Sequence, residues 1–177
     1  MKKLFALTLG LVAAAMFVSC SEKDSGKDSK NPAVQCSYEI TLSVPDAAVD
    51  QQDVIKTVLT TPDNQGNKVP EEFTDAMETL SHKLSGIKPL PYSATITISQ
   101  ELKKTGEQLT KDKYFVGLDY SLRVESATAD GGVVDAQIIS KEDVGGSISK
   151  DKIAAAYPKE INIKISVDAN GVVTVQD

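Results

Sequence analysis

The sequence predicts a mainly antiparallel β domain, sandwich-like or a curled sheet, with one substantial helix near 70–86 and a short helix near 149–157. Three observations predict it. Apolar and polar residues alternate along several segments, the mark of half-buried strands. Hairpin-turn signals, Asp130-Gly131-Gly132 and Asn170-Gly171, separate such segments. The chain has 177 residues and no internal repeat, which fits one ordinary domain.

The elements follow in order. Val34, Cys36, Tyr38, Ile40, Leu42 and Val44 alternate with Glu39, Thr41 and Ser43, giving the first strand. Val54–Thr61 would also suit a helix face through Val54, Ile55, Val58 and Leu59. Its β-branched density and the following Pro62–Asn67 turn favour a strand. Pro70, Glu71 and Glu72 look like a helix start, and Gly86 like its stop. Phe73, Ala76, Met77, Leu80 and Leu84 fall at helical spacing between them. Tyr92, Ala94, Ile96, Ile98 and Leu102 mark the next strand, and Tyr114 to Val124 another. Val133–Ile139 has apolar residues on both faces. Ser149–Tyr157, stopped by Pro158, is the short helix, with Ser149 as its cap. Ile161, Ile163, Ile165 and Val167 form a strand that returns through Asn170-Gly171 into Val172–Val175.

Size then constrains the architecture. Six strands spaced about 4.8 Å apart make a face roughly 30 Å square. A helix of about 16 residues covers a strip near 24 by 10 Å. The remaining apolar face must pack on another part of the sheet.

The N-terminus is organised differently. Lys2 and Lys3 precede Leu4–Val18, which carries no charge. That pattern predicts a signal peptide over 1–19. The uncharged run is shorter than the about 20 residues a spanning helix needs. Ser21–Pro32 is polar and charge-balanced, so 20–33 is expected to be a disordered tether. Such a chain spans roughly 20 Å on average and at most about 50 Å. The single β-rich domain is expected over 34–177.

Phe17-Val18-Ser19-Cys20 resembles a relaxed bacterial lipobox, with Phe17 where the stricter form has Leu. The resemblance implies cleavage before Cys20 and acylation of its thiol, for example with palmitate. Cys20-Ser21-Glu22-Lys23-Asp24 is similar to the surface-export start of Bacteroidota lipoproteins, with Lys23 interrupting the acidic run. More widely, Tyr38–Val44, the Asp63–Asn67 turn, Leu90-Pro91 before the Tyr92–Leu102 strand, and Lys113-Tyr114 resemble the small uncharacterised lipoproteins of that phylum. The likeness spans most of the mature chain and implies an outer-membrane address, with the cell surface favoured over the periplasmic face. It implies no activity.

Charge limits the partners. The chain has 19 basic and 25 acidic residues, a net charge of -6. Removing 1–19 takes away Lys2 and Lys3 and no acid, leaving 17 against 25, or -8. That argues against nucleic acid and against electrostatic docking on anionic lipid. The expected membrane contact is the N-terminal lipid; a protein or small-ligand partner is left open.

Candidate chemistry is sparse. If Cys20 is acylated, Cys36 stands alone, so no disulfide framework is expected. Cys36 lies on the apolar face of its strand, without a basic neighbour to activate it. His82 is the single histidine and is expected on the exposed side of the 70–86 helix, which excludes a histidine-pair zinc motif. Ser147-Ile148-Ser149-Lys150 and Lys104-Thr105-Gly106 match fragments of the serine β-lactamase set, in reversed order and without S-D-N. Asp63-Asn64-Gln65-Gly66-Asn67 lacks the flanking helices of a calcium hand and reads as a turn, as does Asp168–Asn170. Trp is absent, and most tyrosines fall on inner faces, which weakens an aromatic sugar platform. No catalytic residue, cofactor or metal ligand is assigned. The expected function is a lipid-anchored, non-catalytic binding or accessory module. A protein-based inhibitor or adaptor using the Leu102–Asp112 loop and a small hydrolase are the alternatives.

Overall fold

The computed structural model describes residues 32–84, 88–142 and 145–177. Residues 1–31, with the expected signal segment, Cys20 and most of the expected tether, lie outside the described residues. The elements are β1 (Gln35–Ser43), α1 (Gln51–Val54), β2 (Ile55–Pro62), β3 (Lys68–Phe73), β4 (Thr79–Lys83), β5 (Lys88–Pro89) and β6 (Tyr92–Leu102). They continue with β7 (Lys113–Val116), β8 (Asp119–Ala127), β9 (Val133–Lys141), β10 (Gly146–Ser149), α2 (Lys150–Ala156), β11 (Lys159–Val167) and β12 (Val173–Gln176).

Alternation along the strands produces the fold. In β1 the even residues Cys36, Tyr38, Ile40 and Leu42 are buried, and in β8 so are Tyr120, Leu122 and Val124. These strands belong to one sheet, ordered β4-β1-β8-β9 with β5 also against β1. The second sheet is ordered β12-β11-β6-β2-β3 and turns Ile96, Ile98, Ile163, Ile165 and Val167 inward. All pairings are antiparallel. The two inner faces share one core, so the domain is sandwich-like. A smaller core of Val54, Ile55, Leu109, Tyr114, Val116 and Ile153 lies under the β7–β10 ribbon and α2.

Among the described residues of 70–86 the expected helix is not found, and that expectation is corrected. Residues 68–73 form the edge strand β3, Thr74–Met77 turn, and 79–83 form β4 in the other sheet. Leu80 and Leu84 are four residues apart, which places them on one side of a helix or of an extended chain alike. Both are buried, with Phe73, in the shared core. Pro70 is tolerated because β3 is an edge strand. Residues 55–62 are strand, as expected, but Val54 ends a short helix. The short helix near 149–157 is present as α2; Ser149 holds the cap position without a side-chain cap bond.

Three loops share one turn. In each, the first residue's N–H bonds the carbonyl four residues on, and a glycine N–H returns to the first residue's carbonyl. They run Asp63 to Asn67, Thr128 to Gly132 and Asp168 to Val172. Their glycines, Gly66, Gly131 and Gly171, have φ of 86°, 90° and 84°. Among the described residues no non-glycine residue has positive φ, so Asn170 does not share it with Gly171. These are longer hairpin turns with one left-handed glycine, not two-residue turns.

One lateral side of the sandwich is closed by side chains. The Val173 N–H donates to Asp135 Oδ2 at 2.8 Å and the Val175 N–H to Gln137 Oε1 at 3.0 Å. The free edge of β12 is therefore blunted by polar side chains from β9.

At the end with the smaller core, buried Asp50 accepts from the Phe115 N–H at 2.8 Å and from Lys111 Nζ at 2.5 Å. Gln51 accepts from the Gly117 N–H at 3.2 Å. Desolvation works against the Asp50 charge, but the Lys111 and Phe115 hydrogen bonds outweigh it and hold the carboxyl below its usual range. A depressed folded-state value stabilises the fold above the ordinary carboxylate range, and that stability is lost as pH falls through the folded value. Asp50→Asn should therefore flatten the stability loss between about pH 5 and pH 2. Urea midpoints across that range, wild type against variant, measure it; parallel acid limbs would contradict the pairing.

Candidate functional site

The residues singled out by sequence do not converge. Cys36 is 2% exposed, and burial pushes its thiol up to about 11, against the smaller pull of Lys88. It should resist a thiol reagent in the native state and react on unfolding. Cys36→Ser should cost about 1–3 kcal/mol by burying an uncompensated hydroxyl. Denaturant melts and reagent kinetics test both.

His82 is not on a helix face opposite the core. It shares the face of β4 with Leu80, is half-buried, and stacks on Tyr38 with ring centroids 6.2 Å apart. Tyr38 in turn donates its hydroxyl to the Pro62 carbonyl at 3.3 Å. The Leu102–Asp112 loop is pinned. Leu109 is buried, Lys103 donates to the Gln52 carbonyl, Lys104 pairs with Asp53, and Gly106–Gln108 forms a 3₁₀ turn. Lys104 is thereby committed to Asp53, and Ser147 lies in β10, one residue from the pairing of Ile148 with Tyr114. The Asp63 carboxylate is used by its own turn, accepting from the Gln65 and Asn67 N–H groups at 2.8 Å and from Asn67 Nδ2 at 3.0 Å. The Asn67 side chain chiefly holds it below the usual range. Among the described residues no group of three or more His, Cys, Asp or Glu is placed to hold a metal.

The two outer faces of the sandwich differ in how their charges are used. On the first sheet, Lys83, Glu39 and Arg123 stand opposite one another on β4, β1 and β8. Lys83 pairs with Glu39 at 3.8 Å and Arg123 with Glu125, so these charges answer each other.

The second sheet pairs Lys56 with Glu72 and Asn162 with Glu160, but beyond them it carries polar groups with no such partners. Gln176 lies opposite Lys164, and Lys164 opposite Thr95. The pairing of Thr60 with Thr97, carried two residues on, sets Pro62 beside Thr95, and Pro62 lies opposite Lys68. One row therefore crosses all five strands, from Gln176 to Lys68. A second, shorter row is Thr174, Ser166 and Ser93. Lys164, Thr95, Ser166, Thr174, Gln176 and Lys68 are exposed. Among the described residues, none of their side chains makes a hydrogen bond or ion pair. Lys56, Lys103, Lys104 and Lys111, by contrast, each meet an acid.

Two depressions follow these rows. One, of about 360 Å³, is lined by Ser93, Thr95, Lys164, Ser166, Thr174 and Gln176. The other, of about 340 Å³, is lined by Ser93, Thr95, Pro62, Asp63, Lys68, Lys88 and Tyr92. They share Ser93 to Thr95 and form one continuous shallow surface. Lys88 reaches it from β5 and donates to the Asn64 carbonyl. The Tyr92 hydroxyl is shielded from solvent without a partner, and burial raises it to about 12. The arrangement offers donors and positive charge to a ligand lying across the strands.

This surface was missed in the sequence, where Ser93, Thr95, Lys164 and Ser166 are simply the outward residues of separate strands. Only cross-strand register brings them together. No family model, no curated protein and no solved structure matches the chain.

Proposed function

We propose that this protein is a lipid-anchored cell-envelope lipoprotein whose β-sandwich serves as a non-catalytic binding module. The observation that carries the anchor is segment order. A dibasic start, the uncharged run Leu4–Val18 and Phe17-Val18-Ser19-Cys20 precede a polar stretch, and only then the folded domain. Acylation of Cys20 tethers the sandwich to the outer membrane, and Glu22 and Asp24 favour the cell surface. The binding part is supported by the uncommitted donors and lysines on the outer face of the second sheet. Commitment of His82 to the Tyr38 ring weighs against a hydrolase built on that residue. The pinned Leu102–Asp112 segment weighs against an adaptor that uses it as a free loop.

Cys20→Ala should move the protein from the membrane pellet to the soluble fraction, and metabolic labelling with a palmitate analogue should be lost. A variant that stays in the pellet would overturn the anchor. Protease accessibility on intact cells separates the two faces of the outer membrane.

A further inference from the structure

We infer that the outer face of the second sheet is the docking surface for an acidic polysaccharide, a linear glycan carrying carboxylate or sulfate groups. The ligand lies across the strands, its charges on Lys164 and Lys68 and its hydroxyls on Ser93, Thr95, Ser166 and Gln176.

Charge is the first argument. The chain is net -6, yet Lys164 and Lys68 stand in one cross-strand row without an acid partner. They are three strand spacings apart, about 14 Å. Among the residues that line the two depressions the one acid is Asp63, whose carboxylate is occupied by its own turn. A locally positive strip on an acidic protein selects an anion and repels the chain's own kind.

The polar groups narrow the anion. Thr95 between the lysines, Gln176 beyond Lys164, and Ser93, Ser166 and Thr174 in the next row offer hydroxyls and an amide that bind nothing else among the described residues. These groups suit a polyhydroxylated chain. Tyr92 is the one aromatic residue lining the two depressions; it alternates with the outward residues Ser93 and Thr95 and is half-buried at the margin, so no exposed aromatic platform is offered for stacking. That disfavours single-stranded nucleic acid, which uses aromatic platforms together with a basic groove. It also disfavours neutral sugars held by ring contact.

An acidic peptide is the nearest rival. Peptides that bind sheets do so mainly at an edge, where unpaired backbone groups form a ladder. Here the middle of the site lies over β11, β6 and β2, each paired on both sides, so their backbone groups are taken; only its ends, at Gln176 and Lys68, reach the edge strands β12 and β3. Over that middle only side chains face the ligand. That favours a glycan.

The inference rests on the binding-module reading, but not on the anchor, because the face belongs wholly to the folded domain. Affinity electrophoresis of the full chain in detergent, through gels containing polygalacturonate, dextran sulfate, neutral dextran or poly-glutamate, tests it. Polygalacturonate or dextran sulfate should retard the protein, with retardation falling as salt rises. Lys68→Gln combined with Lys164→Gln should weaken that binding roughly fivefold or more. Thr95→Val with Ser166→Ala should weaken it without any change of charge. Lys141→Gln, which removes a charge from the other sheet, should leave it unchanged. Cys20→Ala should bind as the parent does, so a failed anchor and a failed ligand are distinguishable. Equal retardation by neutral dextran, equal or tighter binding of poly-glutamate, an unaffected double lysine variant, or no binding to either acidic glycan at low salt would each overturn the proposal.

Discussion

Phe73→Ala should lower the unfolding free energy by about 3–5 kcal/mol, among the largest losses available to a single core truncation. Phe73 is 1% exposed and ends β3, where the chain leaves the second sheet to cross to the first. Its ring lies in the shared core with Leu59 of β2, Leu80 of β4 and Leu84. Removing it opens a cavity where the two sheets are joined by a short connection, which limits how far either can relax. Urea unfolding with an unchanged m-value is the measurement. A companion substitution separates the observed strand–turn–strand from a helix over the same residues. Asp75 is the second residue of the turn in which the Met77 N–H bonds the Thr74 carbonyl, a position that accepts proline. Asp75→Pro should change stability by less than about 1 kcal/mol, including loss of the exposed pair with Lys103. Inside a helix the same change would cost about 3 kcal/mol or more.

That comparison also shows what the sequence could and could not reveal. Strands β1, β6, β8 and β11 were legible because each buries alternate residues over a long run, and no helix sustains that pattern. The segment 70–84 misled because Leu80 and Leu84 suit both periods, while the Pro-Glu-Glu start mimics a helix entry. What decided it was tertiary: β2 and β1 offered open edges to which β3 and β4 could pair. His82 was misplaced by the same error. Read on a helix it faces solvent; read on β4 it shares the face of Leu80 and meets Tyr38. The loops were recognised as turns from Asp, Asn and Gly. Their geometry was not, since the left-handed residue is the glycine alone.

The candidate site was illegible for a different reason. Each of its side chains is an ordinary outward residue in its own strand. Lys68, Thr95, Lys164 and Gln176 lie far apart in sequence, and their alignment is a product of register in four separate pairings. Register is set by which inner residues meet in the core. The same Ile96, Ile98, Ile163 and Ile165 that fill the interior therefore also fix the row of donors and cations outside. A core substitution that slipped β11 by two residues along β6 would keep the burial pattern and break the Lys164–Thr95 alignment.

Gly171→Ala should be the most damaging of the three equivalent turn substitutions. Gly66, Gly131 and Gly171 occupy the same left-handed position in the same kind of turn. A side chain at such a φ costs about 1–2 kcal/mol wherever it occurs. At Gly66 and Gly131 an added Cβ meets nothing within 4 Å, so that cost should be nearly the whole effect. At Gly171 the added carbon would sit 2.3 Å from the Ala33 Cβ and 3.2 Å from Ser126 Oγ. Ala33 is buried at the start of the domain, and Ser126, fully buried, donates to the Gly171 carbonyl at 2.6 Å. The turn is therefore packed against the segment through which the chain enters the sandwich, and relief requires moving backbone. Such overpacking adds about 1–3 kcal/mol, for a total of about 2–5 kcal/mol. Ala33→Gly removes the obstructing carbon, so the double variant Gly171→Ala with Ala33→Gly should recover most of the excess, a coupling that a double-mutant cycle reads directly. Equal losses at all three glycines, or no rescue by Ala33→Gly, would show that this close approach does not govern the fold. Ala33 was expected to close the 20–33 tether but is buried in the domain, so recovery in the double variant would also show that the last turn is held against the chain's entry by this contact.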